Sequence, residues 1–256
     1  MASDWDPQQY ERFKEERARP FHDLVAMVRP GPNMRVADLG CGTGELTRSL
    51  HEHLQAEETI GVDTSSAMLA KSQAFDSPGL SFEQRDLATI ADLGQFDLIF
   101  SNAALHWLED HSRLLERLAD TLSPTGQLAI QVPANHDHVS QTMAAEVAAE
   151  EPFVTLFEGF VRRSPVLTPE EYSAHLYRIG FRTQSVLMRV YAHELPSRDA
   201  VIEWVKGTTL TDYEKRLDEH DYGRFLERYE ERLLAELEDR SPYLFPFKRT
   251  FLWAQR

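Results

Sequence analysis

The chain has 256 residues, 42% of them hydrophobic and 27% charged, which suits one large α/β domain, or one domain with a substantial insertion, around a sizeable core. Its formal net charge of −15 argues against a nucleic-acid substrate, because neutralising phosphates takes a basic face. A polar, charged stretch from Met1 to Arg19, no apolar run near the roughly 20 residues of a membrane span, and a single cysteine, Cys41, lead to the expectation of a cytoplasmic protein without membrane contact or internal disulfide.

In chain order, Met34–Asp38 reads as a first strand, Gly44–Leu54 as a helix, Thr59–Asp63 as a second strand, Ser65–Ser72 as a helix and Leu80–Arg85 as a third strand. Phe96–Ser101 follows as a fourth strand, His111–Leu122 as a helix and Gly126–Val132 as a fifth strand. Such alternation predicts a parallel sheet with helices on both faces, and ligands at the carboxyl ends of its strands. The loops at 38–44, 63–65, 86–87, 102–107 and 133–136 follow those ends. The second half predicts an Ala/Glu-rich helix near Ser140–Glu151, and a helix opened by Thr168 as N-cap with Pro169 in its first turn. A long strand at Arg182–Leu195, a helix at Ser197–Lys206 and a helix at Asp221–Leu237 come next. That last helix sets Tyr222, Phe225, Leu226, Tyr229, Leu233 and Leu237 on one face, which reads as packing. Tyr243–Ala254 closes the chain as a strand expected to pair with 182–195.

The chemistry concentrates where the first strand ends. Gly40, Gly42 and Gly44 fall on alternate positions, so the turn can bend tightly and bring main chain against a ligand. Asp63 closes the second strand about 20 residues on, where a carboxylate accepts from ribose hydroxyls. The spacing is G-x-G-x-G rather than the G-x-G-x-x-G of dinucleotide sites, and no Gly-Lys-Ser/Thr of a phosphate loop follows. Asp38 and Glu45 flank the turn, which would repel a pyrophosphate and suit an ammonium or sulfonium; S-adenosylmethionine carries both. Asp86 suits an exocyclic amine such as that of adenine and Leu87 the ring face, against the alternative of a helix cap. Asn102 and the backbone after it could hold the amino-acid part of the cofactor, with His106 and Trp107 facing the transfer site. The pairs His51-x-His53 and His136-x-His138 do not share a helix face and lack a Cys or carboxylate framework, so no metal is expected.

The stretch Asp38-Leu39-Gly40-Cys41-Gly42-Thr43-Gly44, with Gly61-Val62-Asp63, Asp86, the segment Asp97–Leu108 and Leu122-Ser123-Pro124-Thr125-Gly126-Gln127-Leu128, resembles the class I S-adenosylmethionine-dependent methyltransferases. More narrowly, Asp4–Tyr10 with Glu16–Pro20, Asn102–Leu108 with Asp110-His111, Gln131–Asn135 and Trp204–Thr208 are similar to the trans-aconitate 2-methyltransferase family. The resemblance implies an α/β fold with a Rossmann-like sheet, mostly parallel with an antiparallel last strand, and a helical cap. It implies an N-terminal lid at 1–32, a core at 33–133, 168–195 and 243–256, and a substrate cap at 134–167 and 196–242. It also implies cofactor contacts from Asp38, Gly40, Cys41, Gly42, Thr43, Gly44, Asp63, Thr64, Ser65, Met68, Asp86, Leu87, Asn102, Ala103 and Leu105.

The implied reaction is methyl-ester formation on a small polycarboxylic acid, with trans-aconitate as the first expectation and S-adenosylhomocysteine as by-product. A carboxylate is already ionised at neutral pH and needs no general base, so the expected mechanism is proximity and orientation, with His106 and Trp107 as orienting groups. The substrate's other carboxylates call for cations, and bidentate arginine fits best. Arg17, Arg162, Arg163, Lys206, Lys248 and Arg249 are candidates, with Trp5, Tyr10, His106 and Trp107 beside them. The family's Leu-Arg-Pro stretch is replaced here by Leu210-Thr211-Asp212-Tyr213, an acid in place of a cation. A hydroxyl, amine or carbon acid as acceptor, and a cofactor-binding regulatory module without turnover, stay open as alternatives. A monomer is favoured.

Overall fold

The structure, a computed structural model, describes residues 14–87 and 94–256, with side chains from residue 19. The chain divides into two compact units. Among the described residues, one comprises 14–133, 165–189 and 249–256, the other 134–164 and 190–248.

The first unit is built on strands β1 (Arg35–Leu39), β2 (Glu58–Asp63), β3 (Leu80–Gln84), β4 (Phe96–Asn102) and β5 (Leu122–Pro133). β1 lies between β2 and β4, all three parallel, and its last four residues are buried. This is why it reads in sequence as an apolar run broken only by Asp38 rather than as an alternation. The full seven-stranded order is β3-β2-β1-β4-β5-β7-β6, where β6 is Thr183–Leu195 and β7 is Tyr243–Gln255. β7 runs antiparallel to β5, so the last strand in the chain reverses the direction of the parallel set, as expected. From β1 the chain winds outward through β2 and β3, then returns to β4 on the other side. The crevice for a ligand therefore opens between the carboxyl ends of β1 and β4.

The helices of this unit are α1 (Lys14–Val25), α2 (Glu45–Leu54), α3 (Ser66–Ser72), α4 (His111–Asp120) and, in the second half, the Pro169–Arg178 helix. α1 packs on the sheet through Phe21, whose ring meets Phe100 of β4 edge-on at 5.3 Å. α2 buries Thr47, Leu50 and Leu54, the inward stripe of an amphipathic helix. The Pro169–Arg178 helix carries the predicted start as a capping box: the Thr168 hydroxyl accepts from Glu171 N, and Glu171 Oε2 accepts from Thr168 N at 2.8 Å.

Beside parts of β6 and β7, the second unit is helical. It contains α5 (Val139–Ala148), α6 (Phe153–Leu156), then, after α7 (Pro169–Arg178) of the first unit, α8 (Asp199–Lys206), α9 (Thr211–Glu214) and α10 (Glu219–Glu236). Phe225, Tyr229 and Leu233 of α10 are buried, and Tyr229 donates to Ser140 O at 2.7 Å. Phe225 also meets Phe153 and Phe157 edge-on at 5.5 and 5.2 Å, so the stripe seen in the sequence is packing. Arg228 and Arg232 both reach Glu150, tying α10 to the end of α5. None of the described helices is long and apolar enough to cross a membrane.

Candidate functional site

The carboxyl ends of the five parallel strands are tied to one another through short contacts, all inside the first unit. Gly40 N and Cys41 N donate to Val62 O at 2.8 and 3.0 Å, fastening the glycine turn to the end of β2. Gly42 N donates to Asp63 Oδ2 and Ser65 N to Asp63 Oδ1, both at 2.9 Å, so each carboxylate oxygen keeps lone-pair capacity for a further donor. Arg85 N donates to Asp63 O at 3.0 Å, joining the end of β3. Ala103 N donates to Gln131 O at 2.9 Å, joining the ends of β4 and β5.

Two glycines are dictated by space and dihedral. Gly40 has φ +78°, and a Cβ there would stand 2.1 Å from Ala104 Cβ. Gly44, at φ +80°, would put a Cβ 2.7 Å from Ser72 Cβ and 2.8 Å from the Phe82 ring. The turn is thus pressed between the segment after β4 and the ring of β3, and only glycine meets both demands. Gly42, at φ +56°, has no atom within 4 Å of a Cβ position and faces open space.

Asp38 is 4% exposed and accepts a hydrogen bond from Thr47 Oγ1 at 2.6 Å. Burial pushes its carboxyl up to about 7 against the opposing hydroxyl bond, and the nearby Asp63 charge adds to the rise. A cation placed beside it would restore the carboxylate. Cys41 is buried and its thiol is pushed far up by burial, then by Asp38 and Asp63, so it is an inert filler of the turn rather than a nucleophile. Thr64 is steadied by Gln84 Nε2, which donates to its carbonyl at 3.0 Å. Ser65 caps α3 by accepting from Met68 N, and Met68 is buried. Asp86 is exposed, and Leu87 beside it is buried.

At the end of β4, Asn102 Oδ1 is buried with no hydrogen-bond partner among the described residues. Ala103 then takes φ +56°, and Leu105–Trp107 forms one 3-10 turn in which Leu105 is buried and Trp107 is 41% exposed. The rings of His106 and Trp107 lie 4.8 Å apart. This turn is held from beneath by His111: its Nε2 lies 3.0 Å from Leu105 O and must donate there, leaving Nδ1 to accept from the Tyr172 hydroxyl of α7. Burial lowers the His111 pKa and keeps the ring neutral.

The predicted substrate cations are distributed over both units. In the helical unit, Arg162 is paired with Asp212 at 2.8 Å, and Lys206 with Glu203 at 2.9 Å and Glu230 at 3.1 Å. Lys248 is paired with Asp137, and Arg163 is exposed. The acid that stands in the Leu210–Tyr213 stretch is thus already committed to Arg162. In the sheet unit, Arg249 is 5% exposed, and its Nη1 donates to Gln131 Oε1 at 3.3 Å. Trp5 and Tyr10 lie outside the described residues, and Arg17 falls in the part of α1 whose side chains are not described. Of the histidine pairs, His51 Nδ1 is bonded to the Thr59 hydroxyl at 2.9 Å, and His138 Nδ1 accepts from Ser140 N at 3.1 Å as a helix cap.

Thr47, Gln131, His111 and Tyr172 enter the site without having been singled out as site residues from the sequence. Thr47 and Gln131 carry a legible signal in retrospect: each is polar on a surface whose neighbours are apolar, Thr47 on the inward stripe of α2 and Gln131 within Leu128-Ala129-Ile130-Gln131-Val132.

A family profile described as a methyltransferase domain matches residues 36–126, the span from β1 into β5 that holds the glycine turn, Asp63 and Asn102. Over 258 aligned residues the chain is 45% identical to a trans-aconitate 2-methyltransferase of Deinococcus radiodurans, covering 98% of each. Among solved structures, the YcgJ protein of Bacillus subtilis superposes with a TM-score of 0.61 at 16% identity, over 93% of this chain and 98% of that one. A phosphoethanolamine N-methyltransferase of Haemonchus contortus, solved with S-adenosylhomocysteine, gives 0.52 at 15% identity over 93% of this chain and 52% of that one. These two likenesses are of fold.

Proposed function

The chain belongs to the trans-aconitate 2-methyltransferase family, and from that premise we propose that it esterifies one carboxylate of trans-aconitate with the methyl group of S-adenosylmethionine. The observation that carries the choice of acceptor is Arg249. It is a buried cation, in the same unit as the glycine turn, at the carboxyl end of β5, where it pairs in register with Pro133.

The rim fits the cofactor. Gly42 leaves room for a ligand against main chain, Asp63 retains acceptor capacity on both oxygens, and the buried Asn102 Oδ1 awaits a donor. S-adenosylmethionine, when bound, would supply an electrophilic methyl carbon on a sulfonium sulfur to the acceptor's carboxylate oxygen, with S-adenosylhomocysteine as the leaving thioether. Asp63 serves the ribose, Asp38 and the Gly40–Gly44 turn the methionine part, Asp86 with Leu87 the adenine, and Asn102 the ammonium. Thr43, Thr64, Ser65, Met68, Ala103 and Leu105 shape the walls of the same rim. His106 and Trp107 bound the transfer site on the turn that His111 supports. No residue needs to remove a proton, since the acceptor is ionised well below neutral pH; the chain's task is to align the acceptor and exclude water.

The test follows S-adenosylhomocysteine formation by chromatography with trans-aconitate, citrate, isocitrate and the trimethyl ester of trans-aconitate as separate acceptors. Turnover is expected on trans-aconitate and none on its triester, which has no free carboxylate. Turnover on the triester, or only on alcohols and amines, would move the acceptor to another functional group.

A further inference from the structure

We infer that Gln131 is a substrate-binding and specificity residue: its Oε1 sets the Arg249 guanidinium, and its Nε2–H donates to a carboxylate of the acceptor that is not methylated. The inference rests on the polycarboxylate reading above and adds a residue and a seat to it.

Alternate residues of β5 share one face of the sheet, so Gln127, Ala129 and Gln131 point the same way. Gln127 and Gln131 are the same residue type on the same face, 4% and 0% exposed, yet they are treated differently. Gln127 is bonded at both ends: its Oε1 accepts from Arg29 N and Trp253 Nε1, each at 2.9 Å, and its Nε2 donates to Arg29 O at 2.8 Å. Gln131, two pleat repeats nearer the carboxyl end, accepts from Arg249 through Oε1 while its Nε2 is buried with no hydrogen-bond partner among the described residues. A buried amide donor left open is costly, and native structures keep few of them without a use. Because Oε1 is fixed on Arg249, the amide cannot turn to hide Nε2.

Two donors of one cluster therefore converge, a guanidinium and an amide N–H, and together they suit a carboxylate, whose two oxygens accept from both. The neighbouring strand supplies the opposite polarity. Asn102 is the register partner of Gln131 across the β4–β5 pair, and its open group is an acceptor, Oδ1. A carboxylate would be repelled by that oxygen and an ammonium drawn to it. Strand neighbours thus sort an anion to the β5 side and a cation to the β4 side, the arrangement required where an acidic acceptor meets the ammonium end of the cofactor.

Two variants separate this role from a structural one. Gln131→Glu keeps the side-chain shape and holds Arg249 more strongly than the amide does, so a residue that only positions Arg249 would be served at least as well by Glu. A residue that donates to the substrate would not be: an acceptor-only carboxylate neutralises Arg249 and faces the substrate's own charge. Gln131→Leu removes both bonds at similar volume. With the protein saturated with S-adenosylhomocysteine, calorimetric titration of trans-aconitate is expected to show affinity reduced at least tenfold in Gln131→Leu and at least fiftyfold in Gln131→Glu. KM should rise alongside, kcat should change less than KM, and affinity for S-adenosylhomocysteine should stay within about twofold of wild type. If Gln131→Leu does not fold, Gln131→Glu decides alone. Wild-type trans-aconitate affinity in Gln131→Glu overturns the inference while leaving the esterification reading standing; wild-type protein that binds no polycarboxylate overturns both.

Discussion

Asp38, on the proposed reading a cofactor residue, carries a cost to stability. Its carboxyl titrates at about 7 in the folded chain, against a reference value of 3.8, chiefly because burial penalises the charge. A raised acidic pKa means that stability is greatest when the group is protonated and is lost as pH rises through 7. The Asp38→Asn variant keeps an acceptor for Thr47 and removes the buried charge. It is expected to melt higher than wild type, by an amount largest above pH 7, of order 4 kcal/mol, and vanishing towards pH 4, while binding S-adenosylmethionine at least tenfold more weakly. A melting gap that does not change with pH would contradict the assignment. The glycines make a second test at this scale. Gly42→Ala meets no atom and suffers only the left-handed dihedral, about 1–2 kcal/mol, so it should fold and yet lose cofactor affinity. Gly40→Ala adds a collision with Ala104 and should lose more than about 3 kcal/mol of stability. Calorimetry with S-adenosylhomocysteine and thermal melts separate the two. The glycine turn and Asp63 were legible in sequence because their requirements are local, a positive φ and a strand end. Thr47 and Gln131 stood out only as polar residues among apolar neighbours; their roles were not legible, because their partners, Asp38 and Arg249, lie 9 and 118 residues away and meet them only through packing.

At the scale of elements, legibility followed length and burial. β1, β2 and β4 have buried centres that read as apolar runs, and α2, α4 and α10 repeat their apolar residues at helical spacing over ten or more residues. α6 and α9 have four residues each, too few for a period to show. β5 begins at Leu122 rather than at the expected Gly126, because Leu122 pairs with Phe96 across an irregularity in the β4–β5 ladder that no local pattern announces. α4 and α7 are joined through the neutral His111, which accepts from Tyr172 and donates to Leu105 O. The depressed His111 pKa contributes stability that is present above the unfolded value, near 6.5, and lost as pH falls through the lower folded value. In His111→Gln that contribution is gone, so the melting difference between wild type and variant is expected to narrow as pH falls from 7.5 to 5. A difference constant over that range would show that His111 is not held neutral. At neutral pH the same variant, by loosening the His106–Trp107 turn, should lower kcat more than cofactor affinity.

The whole molecule carries a net charge of −15, yet it keeps a cation buried at the end of its sheet. A chain this acidic repels polycarboxylates at long range, so recognition must come from short, desolvated contacts rather than from steering. Four of the cations proposed from the sequence lie in the helical unit, three paired with acids and one exposed, whereas Arg249 is buried in the sheet unit and donates to Gln131. On this account the protein aligns an ionised oxygen with a methyl group and uses no proton transfer, which makes the bond formed in the product the most direct witness. The deciding measurement incubates the protein with methyl-labelled S-adenosylmethionine and trans-aconitate, isolates the labelled acid, and exposes it to mild base. Release of the label as methanol is the predicted result, since an ester hydrolyses under those conditions. Label that stays on the product through base treatment would mean a methyl on a carbon, nitrogen or ether oxygen, and would contradict carboxylate transfer.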